Sequence, residues 1–171
     1  MVKKQIIELL NLLGFRQDGN VYTKKYDTAL HPLQVDVEKE RIYYENSGIT
    51  VNRSTTSNFS EDENLVVLEC VDRLLSKGYH ANHIELEPHW KLGHGTKGGY
   101  ADIWVRTYTD NAFDGNDDDK NSLLIIECKT SGAKFNEAWN DTLDDGAQLF
   151  SYFQQEPATK FLCLYTSDIV D

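Results

Sequence analysis

Residues 122–129 (SLLIIECK) are the feature of this sequence that most constrains its fold. An unbroken apolar run of this length predicts a strand buried at the centre of a sheet. The run ends in Glu127-Cys128-Lys129, and side chains alternate along a strand, so we expect Glu127 and Lys129 on one side and Cys128 on the core side. A buried carboxylate and ammonium are costly unless they are paired or used. The run therefore predicts either an ion pair at a strand end or a functional site.

A second carboxylate, Asp102, stands at the entry to a strand predicted at residues 100–107 (YADIWVRT), after a glycine-rich turn. If the two strands are neighbours, Asp102 and Glu127 lie side by side. Paired hard carboxylates suit Mg²⁺, which prefers oxygen ligands and keeps waters for a substrate phosphate. We therefore predict a Mg²⁺ site, also open to Mn²⁺, held by Asp102, Glu127 and the backbone carbonyl of Cys128. The plainer alternative for Asp102 is a turn cap.

Three further polar residues are placed by helical patterns. Gln148 and Tyr152 are four residues apart in a helix expected over 135–155, with a break near Gly146, so they share one face. Glu63 opens a helix expected over 63–78. Each has an ordinary alternative: a polar patch beside a core aromatic for the first pair, and a capping box with Ser60 for Glu63.

The order of predicted elements separates the chain into two parts. Residues 60–171 show a helix, strands near 83–88, 100–107 and 122–129, a helix, and a strand at 160–165. Residues 1–59 show a helix over 2–13 and short strands between 20 and 51, and residues 52–60 (NRSTTSNFS) have the composition of a linker. We therefore expect an α/β core, residues 60–171, with a small helix-and-hairpin appendage, residues 1–59.

Three motifs in this order resemble the PD-(D/E)xK nuclease superfamily, in the branch with a Q-x-x-x-Y helix. They are Gly99-Tyr100-Ala101-Asp102, Ile126-Glu127-Cys128-Lys129 and Gln148-Leu149-Phe150-Ser151-Tyr152. The resemblance is to the N-terminal nuclease domains of type I restriction subunits and of enzymes that fuse a nuclease to an adenine methyltransferase. It covers residues 60–168. Ala101 stands where the motif's proline would be.

The resemblance implies a restriction-endonuclease-like αβββαβ core, with a central mixed sheet of about four strands flanked by helices. It also implies that Asp102 and Glu127 are the two motif acids, Lys129 the motif lysine, Gln148 and Tyr152 the helix pair, and Glu63 the acid on the first helix. The activity expected is Mg²⁺-dependent hydrolysis of phosphodiester bonds in double-stranded DNA. The expected partners are further domains or subunits of a restriction–modification complex, and a transient dimer for double-strand cleavage.

Two other functions stay open on sequence grounds. One is a repair or recombination nuclease of the same superfamily. The other is a catalytically silent module that binds DNA or protein, which the presence of all three motif residues disfavours.

The net charge of −11 argues against simple adhesion to nucleic acid. Residues 1–60 carry eight Lys/Arg and seven Asp/Glu, and residues 61–171 carry nine against twenty-one. Lys91, His94 and Lys97, in the glycine-rich stretch after Trp90, are candidate DNA contacts; the alternative is a solvated hairpin tip. We expect weak DNA affinity for this chain alone, because affinity scales with phosphate contacts.

The remaining sequence features are those of a cytoplasmic protein. Cys70, Cys128 and Cys163 each lie in an apolar run and form no CxxC pair, so we expect reduced core thiols. No apolar stretch is long enough to predict a membrane span.

Overall fold

Two β-sheets and four α-helices are formed by residues 3–89, 100–108 and 120–168, the part of the chain that the computed structural model describes. Among these residues, no helix has both the length and the apolar character needed to cross a membrane. The elements run in the order α1 (Lys3–Leu12), β1 (Arg16–Asp18), β2 (Val21–Lys24), β3 (Leu33–Asp36), β4 (Arg41–Tyr43), β5 (Thr50–Val51), α2 (Glu63–Ser76), β6 (Ile84–Leu86), β7 (Ile103–Tyr108), β8 (Lys120–Cys128), α3 (Ala133–Asp145), α4 (Ala147–Gln155) and β9 (Phe161–Tyr165).

The N-terminal elements form a four-stranded antiparallel sheet in the order β1-β2-β3-β4. Its buried face follows from alternation, since Leu33, Val35 and Val37 are all buried as the sequence predicts. α1 contributes Leu10 and its helical neighbours to the same core.

The second sheet is mixed and has five strands in the order β5-β6-β7-β8-β9. β7 is antiparallel to both of its neighbours, β6 and β8, whereas the two edge strands β5 and β9 run parallel to their neighbours. This confirms the predicted α/β class with a central mixed sheet. The sheet has one strand more than expected, because Thr50 and Val51, in the predicted appendage, pair with Glu85 and Leu86.

Helices cover both faces of this sheet. Ile126 and Cys128 of β8 belong to the large core that includes the buried face of α2, and Ile125 packs with Leu149 and Tyr152 of α4. Successive residues of β8 therefore face opposite helical layers. Glu127, between Ile126 and Cys128, faces the α4 side.

The expected linker at residues 52–60 is wrong as a description of the structure. Thr56, Ser57 and Phe59 are buried. The side-chain amide of Asn64, in α2, donates hydrogen bonds to the carbonyl oxygens of Thr55 at 2.9 Å and Asn58 at 3.1 Å. Residues 52–55 and Ser60 are exposed, so the segment is packed through its middle residues and the polar composition fits both environments. The domain boundary between residues 59 and 60 stays a prediction, although the large core contains residues from both sides of it.

The expected capping box at the start of α2 is also not formed. The N-cap is Asp62, and no side chain caps the helix. The Ser60 N–H instead donates to Asn58 Oδ1 at 2.9 Å. The carboxylate of Glu63 is therefore available for a contact outside its own helix.

The cysteines match the sequence prediction. Cys70, Cys128 and Cys163 are all free thiols, the first two buried and the third partly buried. Burial raises the pKa of Cys163.

The break between α3 and α4 is set by Gly146, which has a φ of 79°. A β-carbon at this position would lie 2.4 Å from Cβ of Phe150. The turn therefore requires glycine at position 146 for two reasons, the left-handed backbone and the close approach of Phe150.

We expect Gly146→Ala to destabilise the protein by about 2–4 kcal/mol, because the backbone penalty is joined by a steric clash. Gly14→Ala is the matched control, since Gly14 has a φ of 80° but a β-carbon added there would have nothing within 4 Å. That variant should lose only about 1–2 kcal/mol. Urea unfolding monitored by circular dichroism measures both. Equal losses in the two variants would contradict the role given to Phe150.

Candidate active site

The pairing of β7 with β8 brings Asp102 to Glu127. Ile103 pairs with Ile126 in antiparallel register, so the residue before β7 and the residue that follows Ile126 in β8 are neighbours. Asp102 Oδ2 accepts a hydrogen bond from the backbone N–H of Cys128 at 2.6 Å. Two acids that are 25 residues apart in sequence thus meet at the end of one pair of strands.

Lys129 follows the last residue of β8 and turns its ammonium toward the acids. Its Nζ donates to Glu127 Oε1 at 2.6 Å and to the carbonyl oxygen of Cys128 at 3.0 Å. Its backbone N–H donates to the Tyr165 carbonyl at 2.9 Å, which extends the parallel pairing with β9. The lysine is therefore fixed by its backbone as well as by its side chain.

On α4, Tyr152 contacts the other oxygen of Glu127, and Gln148 contacts Tyr152. The Tyr152 hydroxyl lies 3.1 Å from Glu127 Oε2 and 2.6 Å from the carbonyl oxygen of Tyr100, and it accepts from Gln148 Nε2 at 2.6 Å. Its single proton serves one of the two acceptors at a time. Tyr152 is 0% exposed and Glu127 is 3% exposed, so these contacts lie inside the protein.

Glu63 reaches the same centre from α2, on the opposite face of the sheet. Its Oε1 lies 3.4 Å from Lys129 Nζ. The ammonium of Lys129 therefore lies between carboxylates from two elements. Asp102, Glu127, Lys129, Gln148, Tyr152 and Glu63, all six residues proposed from sequence as catalytic, belong to one connected group.

The two central acids are held in an environment that resists their ionisation. Burial, followed by the charge of Glu127, raises the pKa of Asp102 to about 8. Burial also raises the pKa of Glu127, despite the attraction of Lys129. Although burial opposes its charge, Lys129 keeps a pKa above the usual value because Glu127 and Asp102 stabilise the ammonium. An additional positive charge beside Asp102 and Glu127 would therefore stabilise their ionised forms.

A cavity of about 350 Å³ opens beside this group, between the end of β8 and the helices α3 and α4. Glu63, Glu127, Lys129 and Gln148 line its inner wall. α3 contributes the outer wall, which carries Lys134, Glu137 and Asp141. The central carboxylate and ammonium are therefore reachable from solvent on the α4 side of the sheet.

The carboxylate and carbonyl oxygens of this group are of the type that a hard divalent cation binds. Glu127 Oε1 and the Cys128 carbonyl oxygen already converge on one cationic group, the Lys129 ammonium. Asp102 is beside them, and both acids have raised pKa values that a cation would offset. In residues 3–89, 100–108 and 120–168 no group of three or more His, Cys, Asp and Glu side chains is arranged to hold a metal. The predicted ligand set therefore depends on a backbone carbonyl as well as on two acids.

The candidate DNA contacts Lys91, His94 and Lys97 lie outside the described residues, as does Trp90. The structure instead draws attention to two residues that sequence reasoning missed. Glu87 follows β6, is buried, and donates its backbone N–H to the Asp102 carbonyl at 3.0 Å. Arg53 lies over the ring of Tyr100 at 4.5 Å from its centre. In the sequence, Glu87 stands beside a predicted strand end and Arg53 lies inside a predicted linker. Neither position indicates a function until the fold is known.

Comparison with models of known protein families and with curated proteins finds no match for this chain.

The raised pKa of Asp102 predicts a stability cost that depends on pH. The carboxyl has a pKa of about 8 in the fold, against an ordinary value of 3.8. The folded state therefore loses stability progressively as the pH rises from about 4 to about 8, because this carboxyl ionises in the unfolded chain while burial keeps it protonated in the fold. We expect Asp102→Asn to be more stable than the unaltered protein in EDTA, by about 1–3 kcal/mol at pH 8 and by little at pH 5.

Urea unfolding at the two pH values, with exposed Asp18→Asn as the matched control, measures this difference. The control should change stability by less than about 0.5 kcal/mol at either pH. A gain from Asp102→Asn that is the same at pH 5 and pH 8 would contradict the proposed ionisation cost.

Proposed function

We propose that this protein is a metal-dependent endonuclease of the PD-(D/E)xK type, which hydrolyses phosphodiester bonds in double-stranded DNA. The observation that carries the proposal is the convergence of Asp102, Glu127 and Lys129 at the end of β7 and β8. Phosphodiester hydrolysis needs this combination, because a nucleophile must approach a group that is already negatively charged.

Asp102, Glu127 and the carbonyl of Cys128 would hold Mg²⁺, with Mn²⁺ as a substitute. The ion would polarise the scissile phosphate and lower the pKa of a bound water. The protein's own contribution is to fix the ligands. Cys128 N–H holds Asp102 Oδ2, and Tyr152, steadied by Gln148, holds Glu127 Oε2.

Lys129 would act as a cation and not as a general base. Its pKa is raised, so the ammonium keeps its proton at neutral pH. A protonated lysine can orient the attacking water and stabilise the negative charge that develops on the phosphate. Glu63 shares this ammonium and so limits where it can move.

The arrangement of elements supports the more specific fold assignment. α2, β6, β7, β8, the α3–α4 pair and β9 follow the αβββαβ order of the restriction-endonuclease-like core. The motif acids are at the ends of the second and third of these strands, where Glu127 meets Tyr152 of α4. Ala101, which stands in place of the motif's proline, is buried against the same helix.

We further propose that this chain is the nuclease module of a larger cytoplasmic restriction–modification enzyme. Its net charge of −11 gives little attraction for DNA, so another domain or subunit would supply most of the affinity. Candidate contacts for such a partner are the large apolar side chains exposed on α3 and α4, namely Trp139, Leu143, Phe150 and Phe153. Double-strand cleavage would need two catalytic centres, hence a transient dimer.

A plasmid-nicking assay with Mg²⁺ tests the activity. Asp102→Ala and Lys129→Ala should each lower the nicking rate at least about 100-fold, because each removes a charge on which the transition state depends. Asp18→Ala and Lys77→Ala remove the same charges from exposed positions outside the site and should change the rate less than about 2-fold.

Unchanged nicking in both site variants would exclude the assignment. DNA binding without nicking, in the unaltered protein, would favour the catalytically silent module. Cleavage restricted to branched DNA would favour a repair or recombination nuclease.

A further inference from the structure

Hydrogen bonds on both sides of Arg53 hold residues 52–56 against β6 and the residue that follows it. On one side, Asn52 Nδ2 donates to Glu85 Oε1 at 2.8 Å and to the Leu86 carbonyl at 3.1 Å. On the other, the carboxylate of Glu87 accepts from the hydroxyls of Thr55 and Thr56. A short segment that is anchored at both ends presents the residue between its anchors in a defined place.

Holding the segment through Glu87 costs folding free energy, for two reasons. Its carboxylate is buried, and its φ of 50° lies in the left-handed region that a side chain disfavours. Glu87 is also a direct neighbour of Asp102, since the Glu87 N–H donates to the Asp102 carbonyl at 3.0 Å. The segment is thus tied to the strand end at which the active site is built.

The guanidinium of Arg53 lies over the aromatic ring of Tyr100, 4.5 Å from its centre. On another side, the Tyr100 ring meets the His89 ring at a centroid distance of 4.7 Å. Arg53 is exposed, and no carboxylate in residues 3–89, 100–108 and 120–168 lies within 4 Å of it. In contrast, Arg41, Arg73 and Arg106 each form an ion pair.

Tyr100 connects this cation to the catalytic group. Its carbonyl oxygen accepts from the Tyr152 hydroxyl at 2.6 Å, and it precedes Asp102 by two residues. Two residues of chain span at most about 7 Å. Tyr100 therefore lies within about two phosphate spacings of Asp102, at about 3.4 Å for each phosphate of one DNA strand along the helix axis.

We propose that Arg53 binds a backbone phosphate of the DNA strand near the scissile phosphate, held in place by the ring of Tyr100. This inference rests on the proposed nuclease function and adds a substrate contact to it. A guanidinium suits the task, because it presents a planar set of donors to phosphate oxygens and stacks on an aromatic face at the same time. A fixed positive charge also offsets the repulsion between DNA and the acidic centre.

The test compares Arg53→Ala with Arg16→Ala in two measurements. Arg16 is the matched control, since it is exposed, lies in the other sheet and has no carboxylate within 4 Å among the described residues. The first measurement is fluorescence anisotropy of a labelled DNA duplex in EDTA at low salt. The second is plasmid nicking with Mg²⁺, analysed for KM and kcat separately.

We expect Arg53→Ala to weaken duplex binding about 5–10-fold and to reduce the salt dependence by about one phosphate contact. In nicking, KM should rise by a similar factor while kcat changes less than about 2-fold, because the contact is made equally in the ground and transition states. Arg53→Lys should recover part of the affinity, and Arg16→Ala should leave both measurements within about 2-fold. Thermal unfolding checks that all variants are folded; Arg53→Gln replaces the alanine variant if it is not.

The outcomes separate the two proposals. Nicking that depends on Asp102 and Lys129, together with equal effects of Arg53→Ala and Arg16→Ala, would overturn the role of Arg53 and leave the nuclease intact. A fall in kcat without a rise in KM would also overturn it. An unaltered protein that neither binds nor nicks DNA would overturn the nuclease function and the Arg53 contact with it.

Discussion

The antiparallel pairing of β7 with β8 is the interaction on which the rest of the site depends. Its register is fixed by buried side chains on both faces, among them Ile103, Ile125 and Ile126. A slip of one residue would move this apolar set out of the cores and would turn Glu127 toward α2. The hydrophobic effect thus sets the geometry of the acids indirectly, because burying the apolar residues leaves only one register in which Asp102 meets the end of β8. The positions of these acids are therefore set by the packing of the core, not by attractions among their own charges.

Those charges, taken by themselves, oppose folding. Asp102 and Glu127 are held close together in a region that disfavours their ionised forms, so both have raised pKa values. The ammonium of Lys129 offsets part of this cost through its 2.6 Å contact with Glu127 Oε1. It lies against two of the oxygens that a divalent cation would need, Glu127 Oε1 and the Cys128 carbonyl. If a metal were bound at this position, Lys129 would have to share these oxygens with it or shift within hydrogen-bonding reach.

Much of this arrangement could be predicted from the sequence, for reasons that are local. Alternation along residues 122–129 gives the sides of Glu127 and Cys128, and helical spacing gives the common face of Gln148 and Tyr152. What could not be predicted depends on partners far away in the chain. Nothing local shows that Glu63 contacts Lys129 and not Ser60, since a capping box and a tertiary ion pair use the same residue type. The mistaken linker has the same origin. Thr55, Thr56 and Asn58 bond to Glu87 or Asn64, whereas other residues of 52–60 are exposed, and polar composition alone does not distinguish an internal partner from water.

Residues 52–56 also connect the N-terminal region to the five-stranded sheet. Glu87 is buried, and its carboxylate accepts hydrogen bonds from Thr55 and Thr56, both within the first 59 residues. Without those donors the buried carboxylate would lose these hydrogen bonds, at a cost on the order of several kcal/mol. β5 contributes an edge strand to the same sheet, and α1 shares the large core with α2. The N-terminal region therefore contributes to the stability of the five-stranded sheet. Its hydrogen bonds to Glu87 support the strand end that carries Asp102, because the Glu87 N–H donates to the Asp102 carbonyl.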